Sequence, residues 1–149
     1  MSRVADSVHI VTTDGTGGLA GATATAVTSI SDAPPSLLVC LNQSSQTLRR
    51  ILANKVFSVN LLSHTQEPLA RRFSGETGLQ GEARFQEADG WMIGEGAPYL
   101  PTALANFRCI LAQVTEVGSH AILVGTVQDI RIGAEAKPLL YHQRRYGSA

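Results

Sequence analysis

A mainly β domain, its strands curled into a closed or partly open barrel, is the fold class this 149-residue sequence predicts. Three observations carry that expectation. Seven or so short strand patterns recur along the chain, only two segments have helical spacing, and glycine and proline punctuate the rest. The length suits a single domain over residues 1–149 with a substantial core, and is short for two.

The first strand pattern, residues 7–13, alternates and runs into Asp14-Gly15, a turn that Gly17-Gly18 extends. Residues 21–31 carry no charge and alternate small apolar residues with hydroxyls. As one strand they put Thr23, Thr25, Val27 and Ser29 on one face, and Ala22, Ala24, Ala26, Thr28 and Ile30 on the other. Neither face has the bulk that fills a β core, which suits either a tight β–β contact or a flat polar ligand lying against the strand. Asp32-Ala-Pro-Pro35 ends it, because proline lacks the donor a ladder needs. Residues 36–41 form an apolar run of buried-strand type.

A helix pattern opens at residues 42–47, with Leu48, Ile51 and Leu52 on one side and Arg49 and Arg50 on another. Its Ser/Thr-rich start offers free backbone N–H groups and hydroxyls. Ser44, Ser45 and Thr47 therefore read either as ordinary caps or as a phosphate cradle with two arginines close by. Residues 56–62 are a further strand. A second helix carries Leu69, Ala70 and Phe73, with Pro68 in its first turn. Residues 75–96, rich in glycine and charge, read as a long excursion from the barrel. In it Glu82, Glu87, Asp89 and Glu95 are solvated and Trp91 packs. Residues 107–117 and 121–127 form a long hairpin broken at Gly118-Ser-His120 and continued through Ile130 and Ile132; residues 138–142 are the last strand.

Several chemistries are excluded. Twelve basic residues balance twelve acidic ones, and the basic residues are scattered, so no nucleic-acid footprint exists. No apolar run approaches a membrane span, and residues 1–6 lack a signal-peptide core. Cys40 and Cys109 sit in apolar strand patterns and read as small buried hydrophobes. A cytoplasmic location follows by elimination. Asp14-Gly-Thr-Gly-Gly18 is a turn rather than a phosphate loop, and no Gly-x-Ser-x-Gly elbow is present. His9, His64, His120 and His142 have no ligand spacing, so no metal is expected, and His9 reads as structural. A chain so poor in reactive side chains points to a borrowed cofactor.

The ordered set of motifs resembles the flavin reductase family with the FMN-binding split-barrel fold. The nearest likeness is to reductase components of two-component flavin-dependent monooxygenases, notably that of 4-hydroxyphenylacetate 3-monooxygenase. The marks are Val11-Thr-Thr-Asp-Gly15, Gly21-Ala-Thr-Ala-Thr-Ala-Val-Thr-Ser29, Pro34-Pro35 with Leu38-Val-Cys-Leu-Asn42, and Phe57-Ser-Val-Asn-Leu-Leu62. Leu69-Ala-Arg-Arg-Phe-Ser-Gly75, Arg84-Phe85, Gly118-Ser-His120, and Pro138-Leu-Leu-Tyr141 with Arg145-Tyr146 complete them. Asp32-Ala replaces the Leu-Asp that many members carry before Pro34-Pro35, and the N-terminus lacks most of the usual leading helix.

The resemblance implies a Greek-key-like split barrel with a few short helices and a homodimer with flavin near its interface. It implies hydride transfer from NADH or NADPH to FMN or FAD, and a separate flavin-dependent oxygenase as partner. Matching positions assign the flavin to Thr23, Ala24, Thr25, Ala26 and Val27, supported by Cys40, Leu41 and Asn42. Ser44, Ser45 and Thr47 would hold its phosphate, and Phe73, Ser74, Gly75 and Arg84 would complete the site. His120 would serve as the catalytic residue lining the nicotinamide side, and Tyr146 would close over the nicotinamide. A flavin- or haem-binding carrier or sensor without turnover is the alternative. An oxidase of pyridoxamine phosphate would want a basic cluster that the sequence lacks.

Overall fold

The computed structural model describes residues 2–149. Ten strands fall into two sheets. They are β1 (Asp6–Ser7), β2 (His9–Thr13), β3 (Ala20–Ala24), β4 (Val27–Asp32), β5 (Pro35–Asn42), β6 (Val56–Leu61), β7 (Ala105–Val117), β8 (His120–Ile132), β9 (Leu139–His142) and β10 (Arg145–Ser148). Two helices, α1 (Gln46–Asn54) and α2 (Glu67–Phe73), and short 3-10 turns complete the chain. The large sheet is antiparallel throughout, in the order β3-β2-β6-β7-β8-β5-β4. A small sheet, β1-β9-β10, packs beside it.

The run 21–31 is not one strand. It divides at Thr25 and Ala26 into β3 and β4, which form opposite edges of the large sheet. The Val27 N–H donates to the Thr25 carbonyl at 3.0 Å, a tight γ-type turn that breaks the alternation. Two residues span little distance, so the sheet must curl until its edges nearly meet. No ladder joins β3 to β4, and the Cys40 N–H, donating to the Ala26 carbonyl at 3.0 Å, only prolongs the β4–β5 pairing into the kink. The result is a split barrel.

β2 is buried along its whole length because it separates two cores. Val11 faces the barrel interior with Val39, Leu41, Phe57, Val59 and Leu123. Val8 and Ile10 face an outer core under α2, with Leu62, Phe73, Leu100 and Leu139. The chain changes sheets at Val8, whose N–H donates to Leu139, so the strand read over 7–13 is β1 and β2.

The excursion over 75–96 is anchored rather than loose. Phe73, Phe85 and Trp91 stack within 5.4 Å of one another. Gly21 permits this, since a Cβ there would sit 2.8 Å from Phe73 and 3.1 Å from Phe85. Glu82, Glu87 and Glu95 are exposed as expected, but Asp89 is not. Its carboxylate meets Arg72 at 2.5 Å and accepts from Trp91 Nε1 at 3.1 Å, with 11% of the side chain exposed. Cys109 is buried, and burial pushes its thiol up to about 12; Cys40 is only half-buried. None of the described helices is long and apolar enough to cross a membrane.

Candidate active site

A polar cavity of about 330 Å³ lies where α1 begins. Ser44, Ser45 and Thr47 line it from the helix start, and Ser74 and Arg84 from α2 and the excursion. Gln46, Arg49 and Gln80 complete the wall. Local chemistry fixes the helix start. Asn42 Oδ1 accepts from Ser44 N–H at 2.9 Å and from Ser44 Oγ at 2.8 Å, which shapes the turn. Ser45 caps the helix, its Oγ accepting from Leu48 N–H at 3.3 Å. The first-turn amides of Gln46 and Thr47 have no carbonyl upstream within the helix.

Charge in this cavity has one sign. Arg49 and Arg84 line it, and no carboxylate does. Arg84 is fastened by its Nε to Leu79 O at 2.8 Å, and by Nη1 to Gly21 O at 2.9 Å and Phe73 O at 3.0 Å. Its Nη2 has no protein acceptor among the described residues, and burial without a counter-ion lowers its pKa. Arg49 donates to the Ser44 carbonyl at 3.0 Å. Arg50 turns away to the Leu19 carbonyl. Two unpaired guanidinium groups beside a helix N-terminus fit a phosphate, as free donors and positive charge converge on one place.

The remaining candidates divide. Across the β5–β8 ladder Asn42 faces His120, and Gln43 ties the hairpin turn down through Gly118 O at 2.8 Å and His120 O at 3.2 Å. Ser119 Oγ lies 2.8 Å from His120 Nδ1. His120 thus stands beside the loop that makes the cradle. Thr25 and Ala26 occupy the kink, and Thr25 lines two further cavities. Other predicted residues are already occupied. Thr23 Oγ1 donates to Ala70 O at 2.6 Å. Ala24, Leu41 and Val27 pack into the barrel interior, and the Cys40 N–H is spent on the Ala26 carbonyl. Phe73 is a correction: its ring is fully buried in the aromatic cluster, and only its carbonyl reaches the site, through Arg84. Gly75 sits at the end of α2 with φ 91°, and a Cβ there would come 3.2 Å from Arg84 Nη2.

Tyr146 lies elsewhere in the chain. Its ring meets Tyr141 at 5.0 Å with Arg71 above it at 4.9 Å, and burial raises its pKa. No described hydrogen bond or aromatic contact joins it to His120. Of the two arginines that the sequence places close to the cradle, Arg49 lines it and Arg50 does not; Gln46 and Gln80 are the cradle residues that the sequence reading missed, and Gln80 had no signal.

Known proteins align with this geometry along nearly the whole chain. An FMN reductase (NADH) RutF of Pantoea ananatis is 42% identical over 146 residues, covering 98% of this chain and 76% of that protein. The solved structure of BorF, the flavin reductase component of a bacterial two-component tryptophan halogenase, superposes with a TM-score of 0.90 at 29% identity, covering 99% and 92% of the two chains. The NADH:FAD oxidoreductase of Streptomyces globisporus, solved with NAD and FAD fragments, gives 0.87 at 28% identity, covering 98% and 86%. Residues 1–149 match the flavin reductase like domain, and the chain belongs to that family.

Proposed function

We propose that this protein is an NAD(P)H:flavin oxidoreductase that passes a hydride from NADH or NADPH to FMN or FAD and supplies reduced flavin to a separate oxygenase. The observation that carries this is the cradle of Arg49, Arg84 and the α1 N-terminus, which has same-sign charge and unspent donors. The naming of relatives as FMN reductase (NADH) supports the same activity.

Bound flavin supplies the hydride acceptor that the side chains here lack. The chain's own task is positioning. Ser44, Ser45, Thr47, Arg49 and Arg84 would hold the phosphate, and the backbone of residues 23–27 and 40–42 would lie along the ring. His120, oriented by Ser119 and by the Gln43 tie, lines the nicotinamide side. Such positioning is most of what a hydride transfer requires.

The working unit is a homodimer of single-domain chains. Ile30, Ile110, Val114, Val117, Ile130 and Ile132, all exposed on β4 and the long hairpin, supply apolar surface for it. Two free thiols suit a reducing cytoplasm.

Mixing the protein with NADH and FMN, then FAD, under air tests the activity. Rapid flavin-dependent loss of NADH absorbance is expected, with NADH use weakened in His120→Ala while flavin binding survives. Flavin binding without oxidation of NADH or NADPH would instead support a carrier or sensor.

A further inference from the structure

Thr25 also opens onto a cavity of about 420 Å³ bounded by Ser2, Asp6, Tyr141, Gln143 and Arg144. Its walls come from the N-terminal segment, the β3–β4 kink and the β9–β10 turn. In that turn Gln143 and Arg144 have left-handed φ values of 50° and 61°. Hairpin turns of this hand favour Asn-Gly, so two long side chains here are strained. The turn is pinned by the Gln143 N–H, which donates to the Ser2 carbonyl at 2.7 Å. It sets Arg144 on the cavity wall. Among the described residues Arg144 has no carboxylate within ion-pair distance, so its forked donors are unspent.

We propose that this cavity receives the ribose-diphosphate part of the dinucleotide hydride donor, with Arg144 pairing with the diphosphate and Asp6 accepting from a ribose hydroxyl. The inference rests on the reductase reading. A donor whose nicotinamide stacks on a flavin held along residues 23–27 must run its diphosphate away from that strand. A second cavity also opens at Thr25. It holds about 430 Å³ between His9, Val27, Leu37, Leu61 and Phe107, and no lysine or arginine lines it. A diphosphate carries charge that a planar guanidinium matches in geometry as well as sign. A carboxylate beside it suits a diol, as dinucleotide sites elsewhere use an acidic residue on ribose.

The test uses FMN-loaded protein and two donors, NADH and the phosphate-free 1-benzyl-1,4-dihydronicotinamide. Arg144→Ala should raise the KM for NADH about tenfold, the scale of one charge-assisted contact, with kcat little changed. Calorimetric binding of ADP-ribose should weaken by a similar factor, and Arg144→Lys should recover part of both losses. With the benzyl donor the KM effect should vanish. Unchanged NADH KM and ADP-ribose affinity would overturn the assignment. So would an equal loss with the benzyl donor, which marks a general defect. A loss of FAD affinity in place of NADH affinity would also overturn it, giving the cavity to the adenylate of the flavin. If the unsubstituted protein oxidises neither donor, the reductase reading falls, and this assignment with it.

Discussion

Behind β2, Asn60 and Asn106 are buried and tied into one hydrogen-bond network. Asn60 Nδ2 donates to Ile10 O at 2.9 Å, while its Oδ1 accepts from Leu100 N–H at 3.0 Å and Asn106 Nδ2 at 2.7 Å. Asn106 Nδ2 also reaches Leu100 O at 3.0 Å. At the start of α1, by contrast, Arg84 spends Nε and Nη1 on carbonyls and leaves Nη2 without a protein acceptor, and Arg49 faces the same cavity without a carboxylate. Both regions are polar, and both are built from residues far apart in the chain. Internal satisfaction makes the first a joint that fixes the 97–104 loop against the sheet. Unspent donors of one sign suit the second to the anion proposed for it.

Asn60→Ala should have the largest effect if the joint is structural. It strands the buried Leu100 amide and takes one partner each from Ile10 O and Asn106 Nδ2, and should cost about 3 kcal/mol in urea unfolding. Phosphate-dependent flavin binding by the folded fraction should hold. A loss below about 1 kcal/mol would mean that water replaces the carboxamide.

His9 extends the comparison, because its Nδ1 is a buried polar atom without a partner among the described residues. Burial lowers its pKa from 6.5 to about 4, outweighing the Ala24 and Ser7 carbonyls that would raise it. Above pH 6.5 both folded and unfolded forms are neutral and the group is silent. As pH falls from 6.5 towards 4, the unfolded chain takes up a proton that the folded chain refuses. Stability should decline by roughly 3 kcal/mol across that window and level off below it. His9→Asn should flatten the slope relative to the parent protein, measured as a difference so that carboxylates cancel. Parallel curves would show that the folded protein accepts the proton.

Gly75→Ala should be the mildest change, and it couples the two kinds of region. A φ of 91° disfavours a side chain, and the new Cβ would press on Arg84 Nη2. A cost of about 1 kcal/mol in stability is expected from the backbone. A fall in FMN affinity beyond that of a distant loop glycine such as Gly90 would tie the effect to the guanidinium.

The parts of this molecule legible in its sequence were those written by local chemistry. The Ser45 cap, Pro68 in the first turn of α2 and the Gly118-Ser-His120 hairpin each need only a few neighbouring residues. The division of residues 21–31 was hidden, since a kink made of Thr25 and Ala26 uses no turn residue; long-range curling of the sheet imposes it. β10 was missed for a related reason, as Gln143 and Arg144 take left-handed conformations that normally announce themselves as Asn or Gly. Asp89 reads as solvated because its ion-pair partner, Arg72, is distant in the chain and meets it only in three dimensions. Part of the cradle was local, in Ser44, Ser45 and Thr47 with Arg49 close by. Ser74 and Arg84 came through family resemblance, and the fold alone brought in Gln80.

The most direct measurement compares FMN with riboflavin, which lacks the phosphate, on the parent protein and Arg49→Ala. A charge-assisted contact predicts that FMN affinity falls by about tenfold to a hundredfold while riboflavin affinity and urea stability hold. Equal loss for both flavins, or none for FMN, would contradict the assignment of this cavity to the phosphate.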